Sequence, residues 1–161
     1  MSLVVILYLA FLTVFTLGYL YKGVNLLKHE TDEAGKKRIS YSLKAQEGDV
    51  VDFDRFRKFN GRLLIVNGLL HLLLLALTFL FVPNLSGSLT TREIHLIRTL
   101  IIAALWLYFG RDMVLATVRE RFTERGTSSP AVKYDPKLTV AFIVLSATLG
   151  YSIYTQLTYI W

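Results

Sequence analysis

The chain contains no cysteine among its 161 residues. Thiolate metal sites, disulfide exchange and cysteine nucleophiles are therefore excluded. Carboxylates are also scarce where the chain is apolar, because Asp112, at the edge of the third apolar run, is the one acid inside these runs. Proton-coupled transport usually depends on an intramembrane carboxylate, so secondary transport is disfavoured. Sequence patterns of zincins, CDP-alcohol enzymes and acid phosphatases are absent too, and the sequence predicts no cofactor and no metal site.

Four long apolar runs dominate the chain, and apolar residues make up 53% of it. The runs cover residues 4–21, 63–82, 96–118 and 138–159. A helix that crosses the hydrocarbon core needs about 20 residues, so each run predicts one spanning helix. The expected fold is all-α: an integral membrane four-helix bundle formed by a single domain, residues 1–161, with helices over about 3–22, 61–82, 93–118 and 137–159.

Basic residues are divided unequally between the segments that join these helices. Residues 22–62 contain ten lysines and arginines and residues 111–137 contain six, whereas residues 83–98 contain two. Lysine and arginine favour cytoplasmic loops. Loops 1 and 3 are therefore expected in the cytoplasm, with loop 2 and both termini outside. The first run lacks the preceding basic residues of a signal peptide, so an uncleaved helix is expected.

The same charge pattern predicts partners and location. The net charge of +6 is explained by cytoplasmic loops beside anionic lipid headgroups, so nucleic-acid binding is not predicted. A multi-pass protein of the plasma (inner) membrane is expected. Tyrosines near helix ends, such as Tyr8 and Tyr19, are expected to form interfacial belts.

The first loop, residues 23–60, is expected to contain an interfacial helix. Residues 31–33, with Asp32 at their centre, are typical of a helix start. Further along, Phe53, Phe56 and Phe59 recur at a spacing of three on a charged helix. Such a stripe lies either at the membrane interface or against the underside of the bundle, and the two are compatible.

Polar side chains inside the apolar runs form one candidate site. Asn67 and His71 stand four residues apart and share one helix face. At a rise of about 1.5 Å per residue, polar residues of the other helices reach a similar depth. The candidate layer contains Thr13, Thr16, Asn67, His71, Trp106, Ser146 and Thr148.

The polar layer has two interpretations. One is a small-ligand or ion site with a proton-responsive His71. The other, which we favour, is interhelical hydrogen bonding that fixes helix register. An intrachain haem pair is not expected, because His29 and His95 lie at other depths. A haem site formed by the His71 side chains of two copies in a homodimer remains an alternative.

The inner rim of the bundle forms a second candidate site. Arg111 and Asp112 interrupt the third helix near the inner boundary of the apolar core, and Arg62 at the base of the second helix is the expected partner of Asp112. These residues predict either a structural ion pair or an anion or headgroup site that also includes Arg125. On the fourth helix, the small-xxx-small pair of Ser146 and Gly150 predicts a helix-association face.

The layout resembles that of the MAPEG proteins, the membrane-associated eicosanoid and glutathione metabolism family. The segment 53–55 (Phe-Asp-Arg) and Asn60 are similar to the family's arginine and asparagine at the start of helix 2. Arg111 and Arg125 are similar to its two helix-3 arginines. The resemblance covers the whole length and implies a glutathione-dependent membrane enzyme with an arginine-rich inner rim.

The chain also departs from that family. Leu63 stands where the family has a glutamate, the helix-2 proline is missing, and Val114 and Val118 replace tyrosines. These are the family's thiol-binding and catalytic positions.

Three functions follow from these observations. The favoured one is a non-catalytic polytopic membrane protein, an accessory subunit, scaffold or immunity-type protein that acts through helix–helix and cytoplasmic-loop contacts. The second is a homo-oligomeric channel or carrier with the polar layer around His71. The third is the MAPEG-like enzyme. All three imply a homo-oligomer or a membrane-protein partner.

Overall fold

The computed structural model describes residues 3–46, 48–82, 89–124 and 136–160. In these ranges the chain is all-α, as predicted. The elements are α1 (Leu3–Lys28), α2 (Glu33–Leu43), β1 (Val50–Val51), α3 (Phe53–Phe81), α4 (Thr91–Val118), a 3₁₀ turn (Arg119–Phe122), β2 (Thr123–Glu124), α5 (Pro136–Thr155) and a π-helical turn (Gln156–Ile160). Four of the helices, α1, α3, α4 and α5, are long and apolar enough to cross a membrane.

Side-chain caps set the starts of three helices. Asp32 Oδ1 accepts a hydrogen bond of 2.7 Å from the Gly35 amide, which confirms the predicted start of α2. Asp52 caps α3 in the same way. Thr90 and Glu93 form a reciprocal capping box at the start of α4. Each cap supplies an acceptor to amides that have no partner within the helix.

Two helices extend beyond their predicted bounds. α1 continues to Lys28, and α3 begins at Phe53, so the expected interfacial helix and second spanning helix are one continuous helix. Arg57 explains the longer α1, because its guanidinium donates to the backbone carbonyls of Leu26 and His29. These carbonyls lie at the helix end, where the backbone itself offers no donor.

Three of the long apolar helices share the main apolar core, and the fourth lies beside it. The core comes from α1, α3 and α4 and contains Val5, Tyr8, Leu12, Leu74, Val82, Ile97, Leu100 and Ala104. α1 packs most extensively against α3, and α5 packs mainly against α4. The predicted bundle is therefore a three-helix core with α5 added on one side.

Chain segments between the spanning helices fold into a small second layer. β1 pairs antiparallel with β2, with Val51 opposite Thr123. Beneath this ladder, α2 and the start of α3 bury an apolar cluster of Ile39, Leu43, Phe56 and Phe122. We call α2, β1, the 3₁₀ turn and β2 the cap, and the end of the molecule where it lies the basic end. The phenylalanine stripe of α3 thus packs beneath the cap.

Candidate functional site

A cleft of about 500 Å³ opens at the basic end between α1, α2, α3 and α4. Its lining includes Tyr19, Lys22, Arg38, Asn60, Leu64 and Arg111. This volume is in the range of small-molecule sites, and the wall is mixed, with apolar leucines beside cationic and amide side chains. We therefore take this cleft as the candidate site.

Arg111 crosses from α4 to α3 at the floor of this cleft. Its Nη2 donates to Asn60 Oδ1 at 3.3 Å, and its Nη1 donates to Asp112 Oδ1 at 3.1 Å. Its buried Nε has no hydrogen-bond partner among the described residues. One donor of a cationic group therefore remains unsatisfied inside the protein.

The predicted partnership of Arg62 with Asp112 is wrong. Asp112 pairs with its neighbour Arg111, and no ion pair joins it to Arg62 in the described ranges. Arg62 is exposed and lines a separate groove of about 300 Å³ on the outer surface of the basic end, with Arg55, Lys58, Phe59, Val118, Arg121 and Phe122. The last member of the predicted inner rim, Arg125, lies outside the described residues.

Tyr19 lines the cleft and also contacts the buried His71. The side chain is 8% exposed, so it does not form part of an interfacial belt as predicted. Its hydroxyl is buried without a hydrogen-bond partner in the described structure. Its ring meets the ring of His71 edge-on, with 5.4 Å between the centroids.

His71 is fully buried between α1 and α4. Its Nδ1 lies 2.8 Å from the backbone carbonyl oxygen of Asn67. A carbonyl oxygen only accepts, so Nδ1 is the donor in this contact. Nε2 has no hydrogen bond of normal geometry among the described residues, although the ring also interacts with the backbone of Ala104 on α4.

Asn67 and Thr16 are buried polar residues, as His71 is. The Asn67 side-chain nitrogen donates to the backbone carbonyl of Leu107 at 3.0 Å, which joins α3 to α4. Asn67 Oδ1 and Thr16 Oγ1 are buried and, within the described ranges, unpartnered. Three members of the predicted polar layer are thus buried, and a hydrogen bond joins two of them, Asn67 and His71.

The other four members of the predicted layer lie elsewhere. Thr13 and Thr148 are exposed, and each hydroxyl donates to a backbone carbonyl of its own helix. Trp106 Nε1 donates to Ser146 Oγ at 2.9 Å and so joins α4 to α5. The predicted layer therefore separates into a buried group inside the three-helix core and a distinct contact with α5.

One buried polar contact is not anticipated by the sequence analysis. Tyr8 is 4% exposed, and its hydroxyl lies 3.0 Å from Thr78 Oγ1 in the core. The sequence placed Tyr8 in an interfacial belt, and its position near a helix end fits either location. A sequence signal for the pairing is lacking, because Thr78 is one hydroxyl within a long apolar run.

The described residues form an all-α fold in which four helices are long and apolar enough to cross a membrane. The chain matches no family model, no curated protein and no solved structure. Of the residues behind the MAPEG resemblance, Arg111 and Asn60 meet in the cleft, whereas Arg55 lines the outer groove.

Proposed function

We propose that this is a non-catalytic, multi-pass membrane protein that acts as an accessory subunit or scaffold through its basic end. The observation that carries the proposal is the cap. Two segments far apart in the chain meet in the β1–β2 ladder and bury their own apolar cluster beneath it. A loop that served only as a connection would not need a core, so this layer is suited to present a fixed surface to a partner.

Charge supports a cytoplasmic position for this surface. In the sequence, residues 22–62 and 111–137 carry sixteen of the eighteen lysines and arginines of the chain. This bias favours an orientation with the cap in the cytoplasm and the connection between α3 and α4 outside. Anionic headgroups of the inner leaflet would then lie next to the basic outer groove.

Hydrogen bonds inside the core support a structural role for much of its polarity. Asn67 joins α3 to α4, Tyr8 joins α1 to α3, and Trp106 joins α4 to α5. In a lipid environment such bonds hold helices in register. These side chains therefore fix the frame on which the cap is mounted.

Orientation can be tested directly because the chain has no cysteine. Ser42→Cys places a thiol on the exposed face of α2, and Thr91→Cys places one at the exposed start of α4. In intact cells, a membrane-impermeant maleimide should label Thr91→Cys at once and Ser42→Cys only after permeabilisation. The reverse order of labelling would contradict the proposed topology.

The accessory role is tested by the mass of the native complex. After gentle extraction, native mass spectrometry should find this chain with another membrane protein at fixed stoichiometry. A protein that remains monomeric after native extraction from its own membrane would contradict the proposal. A closed homo-oligomer would also contradict it and would favour the second candidate.

The second candidate is a homo-oligomeric channel or carrier. It is favoured by buried polar atoms of Thr16 and Asn67 that have no partner among the described residues, because such atoms are rare inside proteins unless water or a ligand satisfies them. Reconstituted vesicles should then show a flux that His71→Ala abolishes. Vesicles without flux would exclude this candidate.

A further inference from the structure

We propose that the cleft binds a phosphate-type anion, either the headgroup of an anionic lipid or a soluble phosphate, through Arg111, Tyr19 and Lys22. The inference takes from the proposed function only that the protein lies in a membrane, and it does not require a partner subunit.

Two residues that line the cleft each contain a buried donor without a partner in the described structure, and these donors suggest the chemistry of the ligand. Arg111 Nε is buried and unpartnered within the described ranges, and so is the Tyr19 hydroxyl. Both residues line the cleft, one from α4 and one from α1. A buried donor without an acceptor is costly, and guanidinium and phenol groups both donate well to oxygen. The missing partner is therefore a group that offers several acceptor oxygens.

Charge in the cleft favours an anion. Its cations are Lys22, Arg38, Arg57 and Arg111, and its acids are Glu30 and Asp32. Arg57 is already used by Asp54 and by two backbone carbonyls at the end of α1. Asp32 is used as the cap of α2. Arg111 is held by Asp112 and Asn60 and keeps only its Nε donor without a partner among the described residues. The charged groups that remain for a ligand are therefore two cations, Lys22 and Arg38, against Glu30, together with the Nε donor of Arg111.

The shape of the cleft fits a phosphate that carries an organic group. The cations come from α1, α2 and α4, so an anion between them would connect three helices. Leu26 and Leu64 provide an apolar wall beside them. Asn60 presents its oxygen to Arg111, which leaves its amide nitrogen as a further donor on the same wall. Arginine is well matched to phosphate because its planar guanidinium can donate two parallel hydrogen bonds.

The outer groove supplies a matched control. Arg62 lies at the same end of the molecule, but it is exposed and lines the groove instead of the cleft. Arg62→Gln and Arg111→Gln therefore remove the same charge from the same end. A difference in anion affinity between the two variants therefore reports binding in the cleft and not the general attraction of a basic surface for anions.

The test measures binding in nanodiscs of phosphatidylcholine. One arm titrates inorganic phosphate and glycerol phosphate by calorimetry. The other arm adds phosphatidic acid to the nanodisc and follows retained lipid by native mass spectrometry. Retention of phosphatidic acid alone would assign the site to a lipid headgroup, and binding of the soluble probes would assign it to a free phosphate.

In either arm, Arg111→Gln should weaken binding by about tenfold or more, since a charge-assisted hydrogen bond is lost, and Arg62→Gln should bind as the wild type does. Tyr19→Phe keeps the ring and removes the unpartnered hydroxyl. It should weaken binding several-fold while the unfolding temperature without ligand stays equal or rises, which a purely structural role would not give. Absence of binding to every probe, or equal losses in Arg62→Gln and Arg111→Gln, would overturn the inference. Either of these two outcomes can be observed whether or not a partner subunit is found.

Discussion

The side-chain nitrogen of Asn67 donates a hydrogen bond of 3.0 Å to the backbone carbonyl oxygen of Leu107 and thereby joins α3 to α4 inside the apolar core. The same residue offers its own backbone carbonyl to the ring of His71. Asn67 therefore links one helix to the next and also fixes the orientation of a buried histidine.

Replacement of Asn67 by alanine should destabilise the helix packing. Interhelical hydrogen bonds in membrane proteins contribute about 0.6 kcal/mol on average and up to about 1.7 kcal/mol. We expect a loss of about 1 kcal/mol in the free energy of unfolding, measured by denaturant titration in mixed micelles. Thr13→Ala is the control, because Thr13 is exposed and bonds only to its own helix. An equal loss in both variants would contradict the assigned role of Asn67.

A second prediction concerns the close contact of α1 and α3. A Cβ at Gly23 would lie 2.8 Å from the carbonyl oxygen of Gly61 and 2.7 Å from Ile65 Cγ1. Backbone at that distance cannot move aside cheaply, so Gly23→Ala should force the helices apart and cost about 1–3 kcal/mol. The measurement is again the free energy of unfolding.

Gly18→Ala is the matched control for this contact. Gly18 lies on the same helix, and a Cβ there meets nothing within 4 Å. Alanine also forms helices better than glycine, so this variant should be neutral or slightly more stable. If Gly18→Ala were as harmful as Gly23→Ala, helix propensity and not helix contact would explain the effect.

A third prediction concerns Arg57 at the end of α1. Its guanidinium donates to the carbonyls of Leu26 and His29 and also to Asp54. Lysine carries the same charge but lacks the planar fork of donors, so Arg57→Lys should leave part of this set unsatisfied. We expect a loss of about 1–3 kcal/mol. Hydrogen exchange should accelerate in the last turn of α1.

The neighbouring Arg55 provides the control for Arg57. It lines the outer groove, and its guanidinium lies 5.8 Å from the centroid of the Phe122 ring. Arg55→Lys should leave the exchange of the α1 terminus unchanged. Faster exchange there in both variants would show that the end of α1 responds to any change in this turn of α3.

The sequence is sufficient to predict the depth of a residue along a helix but not the direction in which its side chain points. Apolar runs located all four long helices, and Asp32 located the start of α2. Thr13 and Thr16 were both expected in the polar layer, yet Thr16 is buried and Thr13 is exposed. Residues three apart on a helix point about 60° away from each other, so Thr16 can lie inside a helix contact while Thr13 lies beyond its edge.

Contacts between residues that are far apart in the chain were not predictable from the sequence either. The ladder joins Val51 to Thr123 through strands of two residues each, too short to show an alternating pattern. The close approach of Gly23 and Gly61 is a property of how α1 rests on α3. Gly150, which the sequence placed on an association face, has open space where a Cβ would stand. These contacts depend on how the elements pack against one another, which a single sequence does not show.

The last prediction tests whether the cap is a structural unit of its own. Phe122 is 6% exposed and lies between the rings of Phe56 and Phe59, at centroid distances of 5.4 and 5.3 Å. Removal of a buried aromatic ring costs about 3–5 kcal/mol in a well-packed core. Phe122→Ala should therefore release α2, with faster hydrogen exchange at Ile39 and Leu43, while exchange in the middle of α3 and α4 stays slow. Tyr41 lies on α2 and is 87% exposed, so Tyr41→Ala should leave hydrogen exchange in both regions unchanged. If Phe122→Ala instead loosened the spanning helices, the cap would be part of the membrane core, and the scaffold proposal would lose the separate surface on which it depends.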